Sequence, residues 1–357
     1  MTMRIVITGA SGNVGTAVLR ALTAEHDVVG VVRRPPAARG VYQRVDWRPV
    51  DLTDVDAIAD LRGIFEGADA VVHLAWGFQP TRDTDYLTRL GVGGTSAVLQ
   101  AAHTVGVGQL VHMSSVGTYA PGSYGKRVDE SWPTTGISTS PYSRDKSSAE
   151  ALLDEYEGRL GSSAISIARM RPGFILQRAA ASGLMRYGLP GYVPMQAVSW
   201  LPVLPLDKGL CIPLIHADDV ADAITRVLDQ RATGAFNLAA EPPVGRDDVA
   251  AALSAWPVHV PSGVLGKLVD LSWRARLQHI DRGWLDLAFS VPLLDCARAR
   301  DELGWKPTMS STEALADLLD GVAHEAYAES PPLRKRSMLD LLRRDVSQGF
   351  ISSRRVP

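Results

Sequence analysis

The sequence predicts an α/β fold: a doubly wound parallel sheet with helices on both faces, joined to a smaller, mostly helical C-terminal lobe. Three observations predict it. Short β-branched runs alternate with longer helical patterns through the first half. The runs are nearly continuously apolar, as expected where both faces of a parallel sheet are covered. A glycine-rich turn joins the first run to the first helical stretch. Repetition of this length calls for right-handed crossovers.

The elements follow in order. Arg4–Thr8, Val28–Val32, Ala70–Ala75 and Gln109–Ser114 read as strands, and Asp51-Leu52 ends a further one. Between them Val14–Ala24, Val55–Phe65 and Gly93–Val105 carry apolar residues at helical spacing. Ser143–Leu160 is a long helical pattern leading into Ala164–Ile167. Past residue 173 the regularity fades, and Gly183–Pro213, rich in Gly, Pro and bulky apolar residues, suggests an irregular cover. Strand-like Ile212–Ile215 and Ala235–Ala239 flank a helical Asp218–Leu228, and Val244–Tyr327 reads as mainly helical.

At 357 residues the chain suits one large domain with a covering lobe, or two domains sharing one cleft. A net charge of −2 favours neither nucleic acid nor an anionic membrane. Cys211 and Cys296 offer no disulfide framework and no zinc spacing, so inert buried thiols in a reducing compartment are expected, and no metal. No signal peptide is legible at the start, and no apolar run reaches the ~18 residues of a membrane span. A cytoplasmic protein is expected. The tail Arg334–Arg355, with seven basic and two acidic residues, reads as a solvated terminus.

Gly9-Ala10-Ser11-Gly12-Asn13-Val14-Gly15 follows the first strand and opens the first helix. Gly9 permits a tight turn, Gly12 lets a diphosphate approach the backbone, and Gly15 lets helix pack on strand. The helix N-terminus then offers N–H groups and positive dipole to the phosphates. The strand–turn–helix context turns a weak motif into a dinucleotide loop of the Rossmann type. The second strand ends Val31-Val32-Arg33-Arg34. Val32 stands where an NAD-selective site carries an acid for the ribose 2′-hydroxyl. Arg33 and Arg34 instead suit a 2′-phosphate. NADP(H) is therefore preferred, with NAD(H) as the other possibility. Asp51-Leu52 would lie at the adenine edge.

Tyr142 and Lys146 are four apart, which on a helix puts them on one face, about 6 Å apart at Cβ. A nearby ammonium favours the phenolate and lowers the phenol's pKa of about 10. The phenol can then give a proton to a carbonyl oxygen, or take it back. Ser115, at the end of a strand, can donate to the same oxygen. A lone YxxxK is weak; its place after Ser114-Ser115 and a dinucleotide loop makes the joint signal strong.

With these motifs on the page, the chain resembles the extended short-chain dehydrogenases, the NAD-dependent epimerase/dehydratase group. The resemblance runs from residue 4 to about residue 308. It is carried by TGASGNVG at Thr8–Gly15, HLA at His73–Ala75, VGGTSAVLQAA at Val92–Ala102, LVHMSS at Leu110–Ser115 and YSRDK at Tyr142–Lys146. RPG at Arg171–Gly173, IHADDVADA at Ile215–Ala223, FNLAA at Phe236–Ala240 and RARDELGWKP at Arg298–Pro307 continue it. It implies Tyr142 as acid/base, Lys146 also on the nicotinamide ribose, Ser115 polarising the substrate, Leu74 and Ala75 beside the cofactor, and Pro172 and Gly173 near the nicotinamide. It also implies a homodimer through the helices around Gly93–Val105 and Ser143–Leu160. The expected division is a dinucleotide-binding Rossmann domain over residues 1–176, rejoined by 212–240. A substrate lobe takes 177–211 and 241–328, and the basic tail 329–357.

Three departures bear on function. The family's Asn before the VxGT segment is Gly91 here. Val116-Gly117 follow Ser115, where sugar-nucleotide dehydratases carry an acidic pair. RPGFILQ lacks the Asn with which epimerases hold a sugar diphosphate. These absences point to a carbonyl or alcohol on a small, fairly apolar substrate. The alternatives are a sugar-nucleotide epimerase with retained NAD, and a non-catalytic NADP-binding regulator; Tyr142, Lys146 and Ser115 speak against the latter. His216, before Asp218-Asp219, reads as a helix cap rather than a ligand. Trp200, Trp256, Trp273, Trp284, Met185, Met195 and Tyr187 are expected in the substrate lobe, lining either a pocket or its core.

Overall fold

In a computed structural model, seven parallel strands form the central sheet. The structure describes residues 2–77, 83–123, 125–188, 195–275, 277–278 and 280–335. The strands are β1 (Arg4–Thr8), β2 (Asp27–Val32), β3 (Asp46–Pro49), β4 (Ala70–His73), β5 (Gln109–Met113), β6 (Ser166–Pro172) and β7 (Gly234–Leu238). Their order is β3-β2-β1-β4-β5-β6-β7, every pair parallel. The chain runs outward from β1 through β2 to β3, then crosses back to lay β4 on the other side of β1. Ligands of open α/β sheets bind where the order reverses, outside the carboxyl ends of the strands.

Alternate side chains explain why a continuous apolar run makes a strand here. Ile5 and Ile7 join a core with Val18, Val220, Ile224 and Phe236. Val6, between them, joins a second core with Leu61, Phe65, Val98 and Leu153 on the opposite face. All three β1 residues are fully buried. The first face is covered by α1 (Asn13–Leu22) and α6 (Ala217–Gln230), the second by α2 (Ala57–Phe65), α3 (Gly94–Val105) and α4 (Pro141–Leu160). The intervening helical patterns are needed to cross over between parallel strands, so the expected doubly wound sheet is the one observed.

The cover is more regular than its composition suggests. Within the span expected to be irregular lie a helix, α5 (Ala181–Gly188), a 3₁₀ turn (Met195–Trp200) and a strand (Val203–Leu206) paired in parallel with Trp256–His259. Ser182 and Gly183 lower helix propensity in isolation, but the small side chains let a later segment pack close. Further on, α7 (Arg282–Ser290) and α8 (Ser311–Ala323) are the helices that bear on the site. α8 opens with a reciprocal Ser310–Glu313 capping box. Leu176, Ala181, Met195, Leu214, Leu315 and Leu318 form the core beneath α5 and α8.

A buried polar network locks α4 to the sheet. Arg171 on β6 donates from Nε to Glu150 Oε1 at 2.9 Å, and its second nitrogen pairs with Oε2. Its NH1 reaches the Tyr119 hydroxyl at 2.9 Å, which in turn donates to Asn237 Oδ1 on β7 at 2.7 Å. Ser114 donates to the same Glu150 carboxylate. Arg171 and Glu150 are both buried. Their lone pairs and protons are met on several sides, the condition under which a buried ion pair is tolerated.

Candidate active site

The glycine-rich turn closes as its sequence requires. Gly9 has φ +72°, and a Cβ there would stand 2.7 Å from the Ala75 backbone nitrogen. A Cβ at Gly15 would lie 2.5 Å from the Ala10 carbonyl, so helix and turn touch backbone to backbone. Gly12 is the N-cap of α1 and supplies no side-chain cap. The first-turn N–H groups are therefore left for a ligand, with the helix dipole behind them. Asn13 is held from behind: its Nδ2 donates to the Ile175 carbonyl at 3.0 Å and its Oδ1 accepts from Gln177 at 2.7 Å.

A crevice of about 400 Å³ runs from this turn across the carboxyl ends of the strands. The sequence-predicted residues Gly9, Ser11, Gly12, Asn13, Val14, Gly15, Arg33, Arg34, Leu52, Leu74, Ala75, Ser115, Tyr142, Lys146, Pro172 and Gly173 all line it. Asp51 does not. Its carboxylate turns back on its own loop and accepts from Thr53 N at 3.0 Å and Thr53 Oγ1 at 2.8 Å. Its neighbours Val50 and Leu52 reach the wall instead. At the Arg33 end the guanidinium donates to the Tyr86 hydroxyl at 2.8 Å. Burial raises the Tyr86 phenol and the Arg33 charge opposes it.

α4 begins at Pro141, with Ser140 as N-cap. Ser143 fixes its first turn: it accepts from Ile137 N at 2.6 Å and donates to the Gly117 carbonyl. Tyr142 is thereby set on the same crevice wall as Ser115, whose hydroxyl favours the phenolate. Ser115 Oγ also accepts from Gly117 N at 3.0 Å. A Cβ at Gly117 would press to 3.0 Å from the Tyr142 ring, so the residue after Val116 has to be small. Trp284 stacks on Tyr142 at 5.6 Å between centroids, and Trp76 meets it edge-on at 6.4 Å.

The electrostatics differ from the sequence expectation. Burial pushes the Tyr142 phenol up to about 12, and the Ser115 hydrogen bond is what opposes it. Lys146 is engaged elsewhere. Its Nζ donates to the Met113 carbonyl at 2.6 Å and sits 3.5 Å from the Trp76 ring centroid. Burial holds this ammonium well below its ordinary value, against the pull of Glu150. Desolvation thus sets the direction for the phenol. Gly91 accounts for the indole's place: a Cβ there would lie 2.9 Å from Trp76, so the family's Asn would collide with it. Gly91 falls within a π-type turn, Arg89–Gly93, leading into α3.

Sequence reasoning missed Trp76, Tyr86, Phe174, Leu184 and Leu287, and also Pro331, Pro332 and Leu333 beyond α8. Trp76 had a signal, since it directly follows the HLA motif; the rest become neighbours only through the fold. Of the residues expected in the lobe, Trp284 reaches Tyr142 and Met195 is core, but Trp200 and Trp256 are 71% and 75% exposed and belong to neither. The Tyr187 side chain and most of the basic tail lie outside the described residues. His216 accepts from Asp218 N at 3.2 Å as the cap of α6. Cys211 and Cys296 are partly buried, and burial raises both thiols, Cys296 to about 12. Among the described residues no group of acids, His and Cys is arranged to hold a metal, and no helix is long and apolar enough to cross a membrane.

Among curated relatives, L-arabinose 1-dehydrogenase (NAD(P)(+)) of Haloferax volcanii is 30% identical over 183 residues, 48% of this chain and 67% of that one. dTDP-glucose 4,6-dehydratase of Streptomyces antibioticus is 26% identical across 94% of this chain and 96% of its own. UDP-glucuronic acid 4-epimerase of Bacillus cereus, solved with UDP-glucuronic acid and NAD, superposes with a TM-score of 0.65. It is 19% identical, covering 90% of this chain and 99% of that one, and shows the shared fold. The family model of the NAD dependent epimerase/dehydratase family matches residues 5–239. Sheet order, glycine-rich turn and this match agree: the chain is an enzyme belonging to the NAD dependent epimerase/dehydratase family.

Proposed function

We propose that the enzyme interconverts a carbonyl and an alcohol on a small, fairly apolar substrate with NADP(H) as preferred cofactor, using Ser115, Tyr142 and Lys146. The observation that carries this reading is that Ser115, Tyr142 and Lys146 line one crevice with the glycine-rich turn at its head. The residues fit a dinucleotide: the helix N-terminus, without a side-chain cap, would receive the diphosphate, and Arg33 and Arg34 would hold a 2′-phosphate. A nicotinamide bound there supplies or accepts a hydride. Tyr142 gives its proton to the substrate oxygen in reduction and recovers it in oxidation, while Ser115 steadies the charge on that oxygen. With its phenol near 12, Tyr142 stands protonated and ready as the acid at neutral pH.

Substrate class follows from the lining. Among the described residues the walls hold no carboxylate, and their only cations are Arg33, Arg34 and Lys146. A dehydratase would need an acid beside Ser115, and a sugar diphosphate would need donors at the substrate end. Phe174 and Leu287, which pack in one apolar cluster with Tyr142, line that end instead, with Trp284 stacked on Tyr142. The test mixes enzyme, NADPH and a panel of apolar ketones and aldehydes. Turnover that disappears in Tyr142→Phe is expected, and a Phe variant as active as wild type overturns the assignment. The epimerase reading draws on the family that this chain shares. It predicts nicotinamide absorbance in the purified protein with no net cofactor use.

A further inference from the structure

The outer wall of the crevice is built from residues that follow α8. There the chain doubles back onto the glycine-rich turn. Ser182 N on α5 donates to the Ala326 carbonyl, Ala328 N to the Leu333 carbonyl and Leu333 N to the Ser330 carbonyl, each at 3.1 Å. Residues 328–333 are thereby closed into a loop. Ser330 is 1% exposed, and its hydroxyl donates to the Ser11 carbonyl at 2.8 Å. Gly183 lets the loop come close: a Cβ there would stand 2.9 Å from the Pro332 carbonyl oxygen. Pro331, Pro332 and Leu333 then line the same crevice as Gly12 and Lys146.

We propose that residues 330–333 are part of the dinucleotide site, a strap beside the diphosphate-receiving turn that sets how fast cofactor leaves. The proposal rests on the reading that the crevice takes NAD(P)(H). Ser11 is bound on its carbonyl side by the strap, so the turn's position and the strap's position are one variable. Two consecutive prolines stiffen the wall and present no N–H to compete with the turn for phosphate. A ligand seated between the glycine-rich turn and α5 leaves only when the Ser330–Ser11 bond yields or the wall flexes. Cofactor release is then a candidate for the slow step of turnover.

The experiment loads the full-length protein with NADPH, chases with excess NADP⁺ and follows nicotinamide fluorescence by stopped flow. Ser330→Ala removes the bond to Ser11 and is expected to speed release about fivefold, the worth of one net hydrogen bond. Gly183→Ala pushes on the strap from α5 and is expected to act in the same direction; it carries the test if Ser330→Ala fails to fold. Release at the wild-type rate in the folded variants overturns the strap and leaves the cofactor reading intact. Wild-type protein that binds neither NADPH nor NADH overturns both.

Discussion

The glycine-rich turn and the wall at 330–333 face one crevice, yet they are held by different kinds of contact. The turn is fixed by backbone sterics within a single strand–helix unit. At Gly9 and Gly15 even one methyl group would meet main chain. The wall is fixed by hydrogen bonds within residues 328–333 and by the bond from Ser330 to Ser11, far away in sequence. Sterically imposed geometry survives small energetic losses, whereas geometry resting on single hydrogen bonds changes with each of them. Chemistry belongs in the first kind of region and exchange of ligands in the second.

The sheet side is where substitutions should hurt most. Tyr142→Phe is expected to lower turnover by about 10²–10⁴-fold while NADPH titration shows binding retained. Glu150→Ala leaves Arg171 buried without its carboxylate and is expected to cost about 3–5 kcal/mol in urea unfolding. Gly9→Ala forces a side chain into left-handed backbone and into Ala75, a strain of about 1–3 kcal/mol, read as weaker cofactor binding and a lower Tm. The pH profile sharpens the role of Tyr142. Its phenol is raised, so the proton-accepting form needed for oxidation grows as pH rises toward about 12. Oxidation rate should climb through the alkaline range while reduction, served by the protonated form, stays level at neutral pH. An oxidation rate already on its plateau at neutral pH would break the assignment. On the exposed cover, Trp256→Ser should change stability by no more than about 0.5 kcal/mol.

The same contrast decides what was legible in the sequence. β1, the turn and α1 declare themselves because a parallel strand, a diphosphate turn and an amphipathic helix are local patterns. Tyr142 and Lys146 declare themselves by sharing a helix face. Arg33 and Arg34 follow from where β2 stops. The direction of the Tyr142 pKa was misjudged because spacing reveals a neighbouring charge but not how completely both groups are desolvated, nor that Trp76 takes the ammonium. Asp51 was placed at the wall from its position after β3, yet its own Asx turn with Thr53 draws the carboxylate away. Helix α5 was hidden because Ser182 and Gly183 weaken the local signal and gain their sense only from Pro332 and Leu333.

The bond from Ser330 to Ser11 joins residues 319 positions apart. During synthesis, which runs from the N-terminus, the sheet and the glycine-rich turn can assemble long before Ser330 leaves the ribosome. A growing chain therefore passes through a stage in which its nucleotide cleft is formed on one flank and open on the other. The cleft gains that flank only once residues 330–333 are in place, so nascent chains shorter and longer than this should differ in how firmly they keep what they bind.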